Sequence, residues 1–167
     1  MKRLLLYLIV PAICSMLIAS CSSDDEKSDS KTKTAPALQA FTHTGCKPID
    51  YEGTGGRAAG VISDSIRFMA TNDNCLLITH VNALFGCEST ITAAVKTEEN
   101  VIYITEDATD AGVNCVCPYD LTIKVGPLKN EKYKIVVLRD NYQIVYCMFD
   151  IDYTSTLKGE LVSYTTE

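Results

Sequence analysis

The chain reads as an all-β protein: an antiparallel β-sandwich of about seven or eight short strands behind a signal peptide and a flexible tether. Three observations lead there. From Ser65 onward, short apolar runs are separated by turn-forming clusters. One run, Cys115 to Val125, alternates with a period of two along its whole length, as a half-buried strand does. Between Phe41 and Glu167 nothing carries a convincing helical period. An apolar content of 47%, with 9 Tyr and no Trp, is ample for one core.

The amino terminus comes first. Lys2 and Arg3 give a cationic start, and an apolar run from Leu4 to Val10 continues through Pro11 to Ile18. That run is too short for a comfortable bilayer span and suits the core of a secretion signal. It ends in Leu17-Ile18-Ala19-Ser20-Cys21, which resembles a bacterial lipobox. The resemblance implies cleavage before Cys21, a diacylglyceryl group on its thiol and a further acyl chain on its new amino group. Several acyl chains on one residue anchor stably where one would not. The alternative is an ordinary signal peptide with an incidental cysteine; Cys14 falls in the removed segment either way. The expected organisation is residues 1–20 as lipoprotein signal peptide, 21–40 as lipidated tether and 41–167 as one sandwich domain.

Ser22 to Ala40 has one Leu, no aromatic residue and alternating charge, too little apolar surface to offset the entropy of folding. As a flexible chain it reaches about 25 Å. The acidic Ser22-Ser23-Asp24-Asp25-Glu26 after Cys21 is similar to the export signals of surface lipoproteins of the Bacteroidota. That resemblance places the domain on the outer membrane, facing the exterior. The alternative is a solvated linker on a periplasm-facing lipoprotein. Overall, 21 acidic residues against 15 Lys and Arg give a net charge of −6. Such a balance argues against nucleic acid as a partner, and against electrostatic adhesion to anionic lipid.

Phe41 to Ile62 gives few signals. Its glycine-rich run, Gly53-Thr54-Gly55-Gly56 with Gly60, lacks the Gly-Lys-Ser/Thr of a phosphate loop and reads as a mobile loop. Strands are then expected at Ser65–Ala70, Cys75–Phe85, Thr90–Val95 and Val101–Thr105, with Thr71-Asn72-Asp73-Asn74 and Lys96–Asn100 as turns. Glu106–Asn114 reads as a polar loop. In Cys115–Val125, the residues Cys115, Cys117, Tyr119, Leu121, Ile123 and Val125 share the core face. Pro118 lacks an amide donor and marks that end as an edge or bulge. Tyr133 leads a strand to Arg139, Tyr142–Phe149 follows, and a last strand covers Glu160–Tyr164.

Leu128, a polar turn and then Tyr133 opening a strand resembles the tyrosine corner of immunoglobulin-like and fibronectin-like sandwiches. The resemblance implies a hydrogen bond from the Tyr133 hydroxyl to backbone a few residues upstream. It lacks the family's core tryptophan, and no cysteine stands two residues after Tyr133. Taken with the lipobox, the acidic tether and Cys115-Val116-Cys117-Pro118-Tyr119-Asp120, the chain resembles small uncharacterised lipoproteins of the Bacteroidota.

Beyond Cys21 stand Cys46, Cys75, Cys87, Cys115, Cys117 and Cys147, an even set that in an exported chain reads as two or three disulfides. Cys115 and Cys117, two apart on a strand, suit different partners better than each other, one of them Cys87. A metal site joining this pair to His43 and Cys46 is the rival, disfavoured by its spacing and by oxidising conditions. No cofactor is expected. His43 and His80 are the available bases, yet no nucleophile elbow occurs, and His80 lies in an apolar strand as a hydrogen-bonded core or sheet-surface histidine would. The carboxylates Glu106, Asp107 and Asp110, and the pair Asp150 and Asp152, lack calcium-loop spacing and read as solvated loop ends. Among the tyrosines, Tyr119 and Tyr133 point inward.

The expected function is a non-catalytic binding, adhesion or accessory module. It is held to the membrane by acyl groups and presents a protein- or glycan-binding surface. The alternative is a periplasm-facing envelope hydrolase or inhibitor using His80 or a carboxylate pair. Pocket geometry discriminates, since an enzyme needs a water-excluding cleft.

Overall fold

The computed structural model describes residues 34–48, 63–109, 112, 114–139 and 144–163. These residues form nine strands and no helix: β1 (Ala37–His43), β2 (Asp64–Ala70), β3 (Leu76–Gly86), β4 (Thr90–Glu98), β5 (Val101–Thr109), β6 (Val116–Gly126), β7 (Lys132–Arg139), β8 (Ile144–Asp152) and β9 (Lys158–Ser163). Two sheets pack face to face as a β-sandwich, one ordered β1-β6-β3-β2-β9 and the other β4-β5-β7-β8. All pairings are antiparallel except β5 with β7. That parallel pair arises because the chain leaves its sheet after β5, runs through β6 opposite, and returns as β7 beside β5.

Period two decides what each strand buries. The inward stripes are Leu76, Ile78 and His80 on β3, Ile102, Ile104 and Glu106 on β5, Leu121, Ile123 and Val125 on β6, and Ile135 and Val137 on β7. Apart from His80, Glu106 and Leu121, they build a large apolar cluster completed by Ile66, Leu128, Tyr133, Ile151 and Tyr153. A smaller one gathers Ala83, Ile91, Cys117, Tyr119 and Leu121. The Tyr133 hydroxyl accepts from the Lys129 amide at 3.1 Å with the ring buried, so the tyrosine corner is formed. Tyr153 closes the same end of the core, its hydroxyl donating to the Cys75 carbonyl at 3.2 Å. Gly126 is needed there, because a Cβ on it would run into the Cys75 side chain.

Several elements depart from the sequence reading. β1 starts at Ala37, inside the stretch assigned to the tether up to Ala40. A bulge between Leu38 and Ala40 explains why it was hidden. With Gln39 as the extra residue, Leu38 and Phe41 both pack on the core although they stand three apart. Gln39 instead donates to the Gly126 carbonyl at 2.7 Å. β5 runs on to Thr109, so Glu106 to Thr109 is strand and not polar loop.

Pro118 lies in a strand flanked on both sides, near its end. Beyond the last β1 pair, His43 with Leu121, its flank is held by looser bonds such as Lys47 amide to Pro118 carbonyl at 2.9 Å. A missing amide is tolerated on that side. The strand opposite carries a bulge at Val81-Asn82, with Asn82 at φ 59°. Asp120 caps it, accepting from the Asn82 amide at 3.0 Å and from Lys47 Nζ at 2.6 Å. The stretch expected to be a signal peptide, Cys21, most of the expected tether and the glycine-rich run lie outside the described residues.

Candidate functional site

Two regions of the described structure hold ionisable groups in close array. In the first, the inward stripes of four strands end in a charged or titratable residue at one level of the sandwich: His80 on β3, Glu106 on β5, Arg139 on β7 and Asp64 on β2. His80 Nδ1 sits 2.8 and 3.0 Å from the two Glu106 carboxylate oxygens, and His80 Nε2 lies 3.7 Å from Asp64 Oδ2. Arg139 Nε approaches Glu106 Oε2 at 3.6 Å. The Tyr146 hydroxyl donates to Asp64 Oδ2. Its ring packs on His80 with centroids 4.7 Å apart, and the Arg139 guanidinium lies over Phe85 at 4.5 Å and Tyr146 at 4.9 Å. Two bulges set this geometry, one at Val81-Asn82 and one at Tyr146 where β7 and β8 slip register.

The His80–Glu106 contact is the arrangement a general base uses, but nothing can reach it. His80 is 0% and Glu106 1% exposed. The neighbouring thiol, Cys147, is pushed up to about 11 by burial and then by the Glu106 and Asp64 charges, so it stays protonated and a poor nucleophile. The cluster joins two strands of one sheet to three of the other, and its chemistry is that of an ionic clamp between layers. His80 is thus the hydrogen-bonded core histidine its strand implied.

The cysteines divide. Cys46 bonds Cys117 and Cys87 bonds Cys115, with Cα separations of 5.6 and 5.5 Å. Cys115 and Cys117 therefore take different partners, Cys87 among them, as strand geometry implied. Cys115 is exposed, not core-facing, because it precedes β6, while Cys117 is buried. Cys75 and Cys147, also disulfide candidates, carry free thiols. They sit in different elements, Cys75 after the β2–β3 turn and Cys147 on β8 of the opposite sheet. Burial also holds the Cys75 thiol up, followed by the nearby Asp73 charge. His43 does not join the sulfurs; it is exposed and its ring lies against Phe41 and Tyr119. Glu106 and Asp107 point to opposite faces of β5 and do not converge, while Asp110 lies outside the described residues. Asp150 is exposed and pairs with Lys134 at 3.2 Å. Tyr119 and Tyr133 are both buried, as their period required.

The second region is on the outer face of the five-stranded sheet. There β2, β3 and β9 line an open depression of about 690 Å³. Met69 and Leu77 give it an apolar floor, Thr79 a hydroxyl, and Arg67, Lys158 and Glu160 a charged rim. Arg67 Nε donates to Glu160 Oε1 at 2.8 Å, and Ser65 donates to the same oxygen at 3.0 Å. These bonds, Arg67 first, hold the Glu160 carboxyl below its ordinary value. Phe68, on the inner side of β2, covers its cross-strand partner Gly159, where any Cβ would collide with the ring. No known protein family, curated protein or solved structure matches the chain.

Sequence reasoning missed Asp64, Arg139 and Tyr146 at the buried cluster, and Arg67, Met69, Leu77 and Glu160 on the outer face. In the first group Arg139 had a readable signal in the stripe Ile135-x-Val137-x-Arg139, as Glu106 had in Ile102-x-Ile104-x-Glu106, while Asp64 and Tyr146 had none. The second depends on which strands pair, which one strand does not reveal.

Proposed function

We propose that this chain is a cell-envelope lipoprotein, anchored through acylated Cys21, that acts as a non-catalytic binding or adhesion module. Its ligand surface is the outer-face depression of β2, β3 and β9, and the ligand class is an extracellular protein or glycan. The observation that carries this reading is the contrast in access. The one pair with acid–base geometry among the described residues, His80 with Glu106, is sealed from solvent, whereas the depression with its apolar and charged lining is open. A floor of Met69 and Leu77 beside a paired Arg67 and Glu160 suits a surface with apolar patches and hydrogen-bonding groups.

The test is binding of the purified mature domain to a glycan array and to immobilised extracellular-matrix proteins. Met69→Asp and Leu77→Asp abolish binding while leaving the melting temperature within a few degrees of wild type. Binding that survives both substitutions, or a wild-type domain that binds nothing, overturns the reading. Intact mass of the membrane-derived protein checks the anchor, which adds acyl mass at Cys21.

A further inference from the structure

We propose that Cys46, Cys87, Cys115 and Cys117 form a thiol–disulfide exchange centre, one that takes in an external thiol at exposed Cys115 and releases a thiol at exposed Cys46. The two disulfides are not independent staples. The sulfurs of Cys46, Cys87 and Cys117 all lie within 4.8 Å of one another, and Cys115 is bonded to one of them. Access is graded through the cluster: Cys115 and Cys46 are exposed, Cys87 is half-buried, and Cys117 is 3% exposed. The two exposed cysteines are therefore at the ends of a chain whose middle members, Cys87 and Cys117, are the less exposed ones.

The chemistry follows from thiolate attack on a disulfide sulfur. A thiolate from a low-molecular-weight thiol attacks Cys115 Sγ, forming a mixed disulfide there, breaking the Cys87–Cys115 bond and releasing Cys87 as thiolate. Cys87 then attacks Cys117 Sγ. The Cys87–Cys117 bond forms, the Cys46–Cys117 bond breaks, and Cys46 leaves as a thiolate that takes a proton from water. One thiol is consumed and one produced, and the number of disulfide bonds rises by none, so no further oxidant or reductant is needed.

The fold brings the attacking and attacked sulfurs close, Cys87 Sγ within 4.8 Å of Cys117 Sγ. β3 pairs Phe85 with Cys117, so Cys87, just past the end of β3, stands diagonally across from Cys117. Diagonal positions are about 7–8 Å apart, slightly beyond the usual span of a disulfide. The Gly86–Ser89 turn, closed by the Ser89 amide on the Gly86 carbonyl at 3.3 Å, lies where that adjustment falls. The leaving residue, Cys46, is exposed and lies past the end of β1, in a segment held to β6 by the Thr44 and Lys47 amides. This exchange is independent of the outer-face depression and needs no ligand bound there.

The test uses the mature chain with limiting glutathione, acid quenching, alkylation and non-reducing peptide mapping. Glutathione appears on Cys115, a new Cys87–Cys117 peptide appears, and the newly alkylated thiol, beyond the free Cys75 and Cys147, is on Cys46. Glutathione on Cys115 with the free thiol confined to Cys87 overturns the exchange. Cys115→Ser leaves Cys87 unpaired and gives a second reading without added thiol. A mixture of Cys46–Cys117 and Cys87–Cys117 is expected, with free thiol shared between Cys87 and Cys46. Only Cys46–Cys117 with Cys87 wholly free overturns the proposal even where that variant is less stable.

Discussion

The two ends of the core are held by different physics. Around Leu76, Ile104, Val125 and Ile135 the sandwich is thick and apolar, and it is closed by tyrosines whose hydroxyls reach backbone. Toward Cys117 the apolar cluster shrinks to Ala83, Ile91, Cys117, Tyr119 and Leu121, and both disulfides lie there. Between them runs the ionic layer of His80, Glu106, Arg139 and Asp64. The thick end can rest on buried area, at roughly 25 cal/mol per Å². The thin end has less to bury and adds covalent constraint. The charges in the middle do not stabilise simply by being present; their removal one at a time is what costs.

That distinction sets the largest expected effect. Glu106→Leu leaves the buried His80 and the half-buried Arg139 without their carboxylate, and should cost about 3–5 kcal/mol in urea unfolding at neutral pH. Ile104→Ala, two residues earlier on the same stripe, should cost a similar 2–5 kcal/mol, roughly, through a cavity. The two mechanisms separate in a double mutant. His80→Leu with Glu106→Leu should cost less than the sum of the single changes, by about 0.5–3 kcal/mol, because the pair is deleted together. Strict additivity would mean that His80 and Glu106 do not act as a clamp.

The disulfide end is next in size. Each bridge constrains the unfolded chain and should contribute about 2–4 kcal/mol. Cys46–Cys117 closes a sequence separation of 71 and Cys87–Cys115 one of 28. Loop entropy then makes Cys46→Ser/Cys117→Ser the more destabilising pair, by about 0.8 kcal/mol. An equal loss from both would show that native packing, not chain entropy, dominates at this end.

These regions differed in how far they could be read from the sequence. The sandwich was legible because period two and turn residues such as Thr71–Asn74 are local signals. Tyr133 was legible because its partner backbone is four residues away. The Cys-x-Cys pair announced two separate partners, since a strand spaces alternate residues too far apart to bond. β1 was not legible: the bulge at Gln39 puts Leu38 and Phe41 on one face at a spacing that matches no strand template. Glu106 is disguised as loop by the polar residues that follow it, although its place after Ile102 and Ile104 continues the stripe of β5. The ionic layer gathers residues from five strands, and no local pattern says that Asp64 meets Tyr146. Nor does counting cysteines separate Cys75 and Cys147 from the bonded four.

At the thick end, Tyr133→Phe removes one hydroxyl and keeps the ring. The lost hydrogen bond leaves the Lys129 amide without its acceptor, and the change should cost about 1 kcal/mol in the same unfolding assay. A cost near zero would reduce the tyrosine corner to ring packing alone.

The smallest effect lies at the surface of the thick end, where the β2–β3 turn meets β6. Lys124 Nζ is 2.5 Å from Asp73 Oδ2. That bond, with the Thr71 hydroxyl second, lowers the Asp73 carboxyl from 3.8 to about 2. A carboxyl whose folded value is depressed adds stability that is fully present above the unfolded value of 3.8, and loses it as pH falls toward about 2. Asp73→Asn should therefore be less stable than wild type at neutral pH, with the gap closing through that acid window. Because the pair is solvent-exposed, molar salt at neutral pH should narrow the gap as well. Glu106→Leu, whose charges are enclosed, should respond far less to salt. A salt response of equal size in both variants would erase the difference between enclosed and exposed charge on which the two regions are contrasted.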